Sequence, residues 1–248
     1  ALHSNLMNSR PELSVVMPAY NEEHRLEKTL TATIAWLRER DLTTEIIIVD
    51  DGSHDRTVEI ANSFAAEWPD LQVLVQQRNK GKGAALRRGC LEARGRYVMF
   101  MDADNATRIE EIDKFLPLCE EGYGMVAGVR TFQEGESRLR RIIGLGFLMF
   151  AHLFVFRKAV VDSQCGFKCF TRDAARAIFA RTRTNGGTID VEIFFLAHKL
   201  DIPIYFVPVH WQNAEGSTIN IWRCIVQDPV DMLHIRIHDK LGRYSRSS

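Results

Sequence analysis

The stretch YVMFMDADNAT, residues 97–107, is an apolar run that ends in two carboxylates one residue apart, Asp102 and Asp104. Carboxylate oxygens are hard ligands, and a pair aimed into one crevice can hold Mg²⁺ or Mn²⁺, which in turn grips phosphate oxygens. A D-x-D triplet is short, however, and an ordinary solvated loop carries one by chance. Three further stretches bear on the choice. PAYNEE (18–23) offers Pro18, Tyr20, Asn21 and Glu22, DDGSHD (50–55) offers Asp50 and Asp51, and NKGKGAAL (79–86) offers Lys82 between Gly81 and Gly83. Each has a local explanation as a turn or a helix start. Their joint meaning depends on whether the fold brings them together.

The elements that must do so are legible as alternating strands and helices. LSVVMP (13–18), EIIIVD (45–50), LQVLV (71–75) and residues 96–101 have strand composition. Between them, 23–39 carries Leu26, Leu30, Ile34 and Leu37 at helical spacing, and helices are expected over about 55–68 and 83–93. This order predicts an α/β fold: a Rossmann-like, mostly parallel sheet with right-handed crossovers and helices on both faces. All four chemical stretches then follow strand C-termini, the edge where open α/β sheets bind ligands. After Arg108 the rhythm loosens. A helix at 109–119, a strand near 124–128, helices near 172–181 and 190–200, and a strand or two within 203–211 are expected, followed by an amphipathic tail at 219–241. No repeat, low-complexity segment or linker divides the chain, so residues 1–12 are expected as a tail and 13–248 as one domain with two halves, 13–130 and 131–248.

Composition sets the bounds. The 248 residues are 46% hydrophobic, and Lys plus Arg equals Asp plus Glu at 32 each. No net field recommends a nucleic-acid partner, and no groove-reading motif is present. Five cysteines (Cys90, Cys119, Cys165, Cys169, Cys224) lack the pairing of a zinc site and read as reduced thiols of a cytosolic setting. The sequon Asn105-Ala106-Thr107 points the same way, since a glycan there would block the D-x-D loop. Residues 142–156, IIGLGFLMFAHLFVF, form an uncharged apolar run with Arg140 and Arg141 before it and Arg157 and Lys158 after it. It is short for a membrane span; its flanking cations suit a helix lying at a membrane interface, and a buried core helix is the alternative. The chain begins at Ala1 rather than Met, which leaves room for an N-terminal anchor ahead of it.

Missing motifs narrow the phosphate chemistry. The first strand-helix turn lacks G-x-G-x-x-G, and no G-x-x-x-x-G-K-[ST] is present, so a dinucleotide oxidoreductase and a P-loop NTPase both drop out. Acidic residues, a D-x-D and a Gly-Lys loop are equipment for a nucleoside-diphosphate donor. PAYNEE, VDDGS, NKGKG and DAD, in that order over roughly residues 13–130, resemble the GT-A-fold glycosyltransferase family 2. Further on, DSQCGFKCFTRDAA (162–175), DVEIFFLAHKL (190–200) and the spacing of Trp211, Gly216 and Ser217 look most like dolichyl-phosphate β-glucosyltransferases.

The resemblance implies an inverting, metal-dependent transfer of glucose from UDP-glucose to dolichyl or another polyprenyl phosphate. It also implies a place on the cytosolic face of the endoplasmic reticulum membrane, or at the cytoplasmic membrane of a bacterium or archaeon. Pro18, Tyr20, Asn21 and Glu22 match the nucleotide-binding motif, Asp50 and Asp51 the base- and ribose-reading pair, and Lys82 a donor-site lysine. Asp102 and Asp104 match the metal carboxylates, with Ala103 between them in the donor site and Asp104 at the reacting diphosphate. Asp162 stands where relatives carry a catalytic or acceptor-orienting Asp, assisted by Gln164; Asp190 and Glu192 are alternatives for that role, or cap a helix. Arg130, Arg140 and Lys168 are the cations offered to the acceptor phosphate. Related mannosyltransferases often place Gln two positions after the second Asp, where this chain has Ala106, so a third protein ligand is absent there. No residue fixes the base or the sugar. GDP-mannose as donor, and a catalytically silent lipid-binding scaffold, remain as alternatives, whereas a processive synthase is disfavoured by the absence of Q-x-x-R-W.

Overall fold

A computed structural model describes residues 10–131, 146, 162, 164–212 and 227–245. Among these, β1 (Leu13–Ala19), β2 (Thr44–Asp50), β3 (Leu71–Val75), β4 (Tyr97–Met101), β5 (Met125–Arg130), β6 (Phe167–Thr171) and β7 (Ile204–Val209) form one sheet in the order β3-β2-β1-β4-β6-β5-β7. The first four strands are mutually parallel, β6 runs antiparallel to both β4 and β5, and β7 is parallel to β5. All seven residues of β2 and all five of β4 are buried, as expected of strands covered on both faces.

The helices split between those faces. On one, α1 (Leu26–Arg38) presents Leu26, Leu30, Ile34 and Leu37, joined by Ala61 of α2 (Thr57–Ser63) and by Ile109, Ile112, Phe115 and Cys119. The other carries α3 (Lys82–Glu92), α5 (Arg172–Phe179), α6 (Ile189–Lys199) and α7 (Asp228–Lys240). Thr171 caps α5, its hydroxyl accepting from the Ala174 amide. Because β2 and β3 lie on one side of β1 and β4 on the other, the winding reverses between β1 and β4. The crevice beyond their C-terminal ends is therefore the place where this class of sheet binds ligands.

The expected elements differ from the observed ones in a few places. The helix expected at 55–68 is α2 followed by a 3-10 turn at Phe64–Ala66; that expected at 109–119 is a 3-10 segment, Ile109–Lys114, then the short α4 (Leu116–Glu120). Pro117 lies in the first turn of α4, where a missing amide costs no helical bond. Only β7 forms within 203–211, with Pro208 tolerated because β7 is an edge strand. The unanticipated element is β6, whose FKCFT hides a buried lysine in an otherwise strand-like run. The apolar run 142–156, apart from Gly146, lies outside the described residues, and no described helix is long and apolar enough to cross a membrane. The four described cysteines are free and buried; Cys224 lies outside the described residues.

Candidate active site

The loops after β1, β2 and β3 are stitched together by side chains that receive backbone amides. Asn21, in the left-handed region at φ 54°, donates its amide to Ser53 Oγ at 2.9 Å, and its Oδ1 accepts from the His54 amide at 2.9 Å. The Glu22 amide donates to Thr57 Oγ1 at 2.7 Å. Asp50 accepts from the Gly52 and Ser53 amides, both at 3.1 Å. Asp51 accepts from Gln76 Nε2 at 2.9 Å and from the amides of Lys80 and Gly81 at 2.8 and 2.7 Å, which ties the second loop to the Gly-Lys loop. Both carboxylates are buried and hold the architecture of the edge.

The Gly-Lys loop is held from a second side. The Asn185 carbonyl accepts from the Gly83 amide at 2.7 Å, and Cβ atoms at Gly81 or Gly83 would lie 2.3 and 2.4 Å from backbone oxygens of Asn185 and Thr184. With the amides of Lys80, Gly81 and Gly83 committed to protein acceptors, the ammonium of Lys82 is a charged group that the loop offers a ligand.

That ammonium lies 2.6 Å from Asp102 Oδ1. Asp104 turns one oxygen to the Ala106 amide at 3.0 Å, and Ala103 between them is buried, its carbonyl accepting from Thr29 Oγ1 at 2.8 Å. Glu22, beneath the exposed Tyr20, is clamped by Arg25 through two bonds of 2.7 and 2.8 Å. Burial, and then the neighbouring Asp102 carboxylate, push the Asp104 pKa up despite the Ala106 amide, Arg25 and Lys82. Glu22 is also raised: burial is the main cause, Arg25 opposes it, and Asp104 and Asp102 add to it. Three carboxylates thus share one field, and Lys82 on Asp102 and Arg25 on Glu22 do not bring the Asp104 and Glu22 pKa values back down, the condition that a divalent cation relieves. No third His, Cys, Asp or Glu joins the pair as a ready-made cage among the described residues; Asp102 and Asp104 offer hard carboxylate oxygens of the kind that Mg²⁺ or Mn²⁺ takes.

At the end of β5, Arg130 forms a two-point pair with Asp162, Nε to Oδ2 at 2.7 Å and Nη2 to Oδ1 at 3.0 Å. The Arg130 and Gln164 amides also donate to Asp162, and the guanidinium lies 5.5 Å from the Trp211 ring centre. Trp211 pairs with Thr107, and the Gln212 amide donates to the Ala106 carbonyl, so this corner abuts the D-x-D loop. Burial would raise the Asp162 pKa, but Arg130 and the two amides outweigh it and hold the carboxyl below the usual range. Asp162 is therefore a poor proton acceptor and a good holder of Arg130.

Lys168 corrects an expectation. It is not a surface cation available to an acceptor: its side chain is 0% exposed, and its ammonium donates to Asp190 Oδ1 and the Cys165 carbonyl, each at 2.6 Å. Glu192 is likewise committed, its carboxylate receiving the amides of Arg183 and Thr184 and the hydroxyl of Tyr244. Asp190, by contrast, reaches the Gly-Lys loop, with Oδ2 4.0 Å from Lys82 Nζ. Arg140, Gly216 and Ser217 lie outside the described residues.

The sequence profile of Glycosyl transferase family 2 matches residues 14–179, a span that includes the loops after β1, β2, β3 and β4. The chain belongs to glycosyl transferase family 2. Among its relatives, the dolichyl-phosphate beta-glucosyltransferase of Dictyostelium discoideum is 36% identical over 247 residues, covering 93% of this chain and 75% of that protein. The Homo sapiens enzyme of the same name is 33% identical over 250 residues, covering 94% and 77%. Among solved structures, glucosyl-3-phosphoglycerate synthase from Mycobacterium tuberculosis, in complex with phosphoglyceric acid, superposes with a TM-score of 0.70 at 21% identity, covering 91% of this chain and 80% of that one. That likeness establishes the GT-A-like fold.

For a family 2 glycosyltransferase, the structure adds residues that the motifs did not single out. Gly166 is one: a Cβ there would lie 1.8 Å from Asp102 Oδ2, so the first D-x-D carboxylate packs directly on its Cα. Arg25, which clamps Glu22, and Asn185, which holds the Gly-Lys loop, are the others. The glycine inside DSQCGFK was the available signal for the first; the other two become visible only when the chain is folded.

Proposed function

We propose that this chain is an inverting glucosyltransferase that moves glucose from UDP-glucose to dolichyl phosphate, giving dolichyl β-D-glucosyl phosphate, a lipid-linked sugar donor. The observation that carries this reading is the 31–36% identity, over more than nine-tenths of the chain, to relatives named dolichyl-phosphate beta-glucosyltransferase. A Mycobacterium tuberculosis neighbour in complex with Mn²⁺ and uridine diphosphate supports the choice of donor and cation.

Asp102 and Asp104 hold Mg²⁺ or Mn²⁺, which supplies charge neutralisation to the departing diphosphate. Lys82 faces the same diphosphate, and Pro18, Tyr20, Asn21 and Glu22 line the nucleotide side. A phosphate monoester is mostly dianionic at neutral pH, so its oxygen needs little help from a base. It attacks the anomeric carbon as the bond from that carbon to the diphosphate oxygen breaks, and UDP leaves with the electron pair. Arg130, fixed by Asp162 and flanked by Gln164 and Trp211, orients the acceptor phosphate.

The acceptor's isoprenoid tail requires a membrane surface, and we assign the chain to the cytosolic face of the endoplasmic reticulum, or to the cytoplasmic membrane of a bacterium or archaeon. In support, α7 exposes Val230, Leu233, Ile237 and Leu241 along one stripe, with Lys240 and Arg243 exposed beside it. The test offers the purified protein labelled UDP-glucose or GDP-mannose with dolichyl phosphate in detergent and Mg²⁺ or Mn²⁺. Label from UDP-glucose alone should enter the organic phase; transfer from GDP-mannose instead would overturn the donor assignment.

A further inference from the structure

A chain of four charges runs from the acid site into the core. Asp102 Oδ1 meets Lys82 Nζ at 2.6 Å, Lys82 Nζ stands 4.0 Å from Asp190 Oδ2, and Asp190 Oδ1 meets Lys168 Nζ at 2.6 Å. Its two ends differ in freedom. Lys168 is wholly buried on β6, bonded also to the Cys165 carbonyl and lying 5.2 and 5.5 Å from the ring centres of Phe100 and Phe194. Lys82 sits in the first turn of α3 with a side chain 29% exposed. Asp190 stands between them in the first turn of α6, where the helix dipole favours a carboxylate. One of its oxygens faces a wholly buried ammonium, the other a partly exposed one.

We propose that Lys82 is a stand-in for the divalent cation at Asp102, and that Asp190, anchored by Lys168, is the seat to which the Lys82 ammonium moves when that cation binds. The inference rests on the reading of Asp102 and Asp104 as cation ligands. An ammonium and a divalent cation on the same carboxylate repel each other strongly in a partly buried site, so one must yield. Departure into solvent would leave Lys82 disordered. The Asp190 oxygen lies within a rotamer change of Nζ, keeps the ammonium beside the site and presents it to donor phosphate oxygens. The buried pair also acquires a purpose, since a lysine and an aspartate hidden together contribute little stability compared with apolar residues of the same volume. Asp190 and Lys168 are thus positioning residues that act through Lys82.

The experiment measures Mn²⁺ binding to the full chain without nucleotide, by the electron paramagnetic resonance signal of free Mn²⁺, in wild type, Lys82→Met, Asp190→Asn and the double variant. Circular dichroism melting verifies that each is folded. Removing the competitor should tighten Mn²⁺ binding about tenfold in Lys82→Met, the scale of one lost ion pair. Removing the seat should weaken it several-fold in Asp190→Asn, and that effect should vanish in the Lys82→Met background. Unchanged or weaker binding in Lys82→Met overturns the exchange, as does an Asp190→Asn effect of equal size in both backgrounds. Asp104→Ala separates the two layers: if it abolishes Mn²⁺ binding while Lys82→Met changes nothing, the cation site stands and the exchange falls. Absence of Mn²⁺ binding in wild type sinks both.

Discussion

At the scale of single residues, the site depends on a few contacts with little tolerance. Asp104→Ala should lower transfer by ~10²-fold or more while leaving the thermal transition near that of wild type, because an uncompensated carboxylate is removed from an acidic cluster. Gly166→Ala should be nearly as damaging for a different reason. Its Cβ would occupy space held by Asp102 Oδ2, so activity should fall ~10-fold or more, and an unchanged kcat/KM would show that Asp102 can move without consequence. The Arg130–Asp162 pair makes a pH statement. The folded-state pKa of Asp162 is depressed, so its contribution to stability is full above the unfolded value of about 4 and is lost as pH falls through the folded value. Urea midpoints should therefore separate wild type from Asp162→Asn at pH 7 and draw together only as pH falls below the unfolded value of about 4.

At the scale of elements, α6 and α7 carry roles beyond packing. Glu192 is fully buried in α6 and receives amides from residues 183 and 184 and the hydroxyl of Tyr244, so it joins the loop beside α3 to the end of the described chain. Burial first, and then this carboxylate, push the Tyr244 pKa well up, which keeps the phenol a donor. Glu192→Leu would leave those donors unsatisfied and should cost about 3 kcal/mol in chemical denaturation. The outer stripe of α7 makes the opposite demand, since its 42–60% exposed Leu233, Ile237 and Leu241 have no use in the core. Replacing all three by Ser should leave the fold intact and reduce binding to liposomes of anionic phospholipid several-fold in a flotation assay; equal flotation would remove α7 from the membrane contact.

At the scale of the molecule, the donor edge behaves as one unit. Asp51 fastens the loop after β2 to the loop after β3, Asn21 and Ser53 fasten the first to the second, and Asn185 reaches from the far half of the chain to hold α3. Residues drawn from positions 18 to 190 thereby face one crevice at the winding reversal between β1 and β4. The 13–130 and 131–248 halves expected from sequence share one sheet, because β6 inserts between β4 and β5.

The parallel sheet, its face-covering helices and the four loop motifs were legible in the linear chain because they rest on local properties. Runs such as EIIIVD can be satisfied only by burial on both faces, and Asp, Asn and Gly after a strand can only be a turn. A β-α-β order then puts those turns on one edge without any knowledge of contacts. What stayed hidden was partnership. Lys168 looks like any surface cation until β6 pairs with β4 and carries it to Asp190; that Asp50 and Asp51 also fasten the amides of their own and the neighbouring loops is visible only in the fold. Gly166 looks like a turn until Asp102 packs against it. Burial and charge pairing belong to residues brought together across the chain, so composition and periodicity contain the candidates, and the folded arrangement assigns each of them its work.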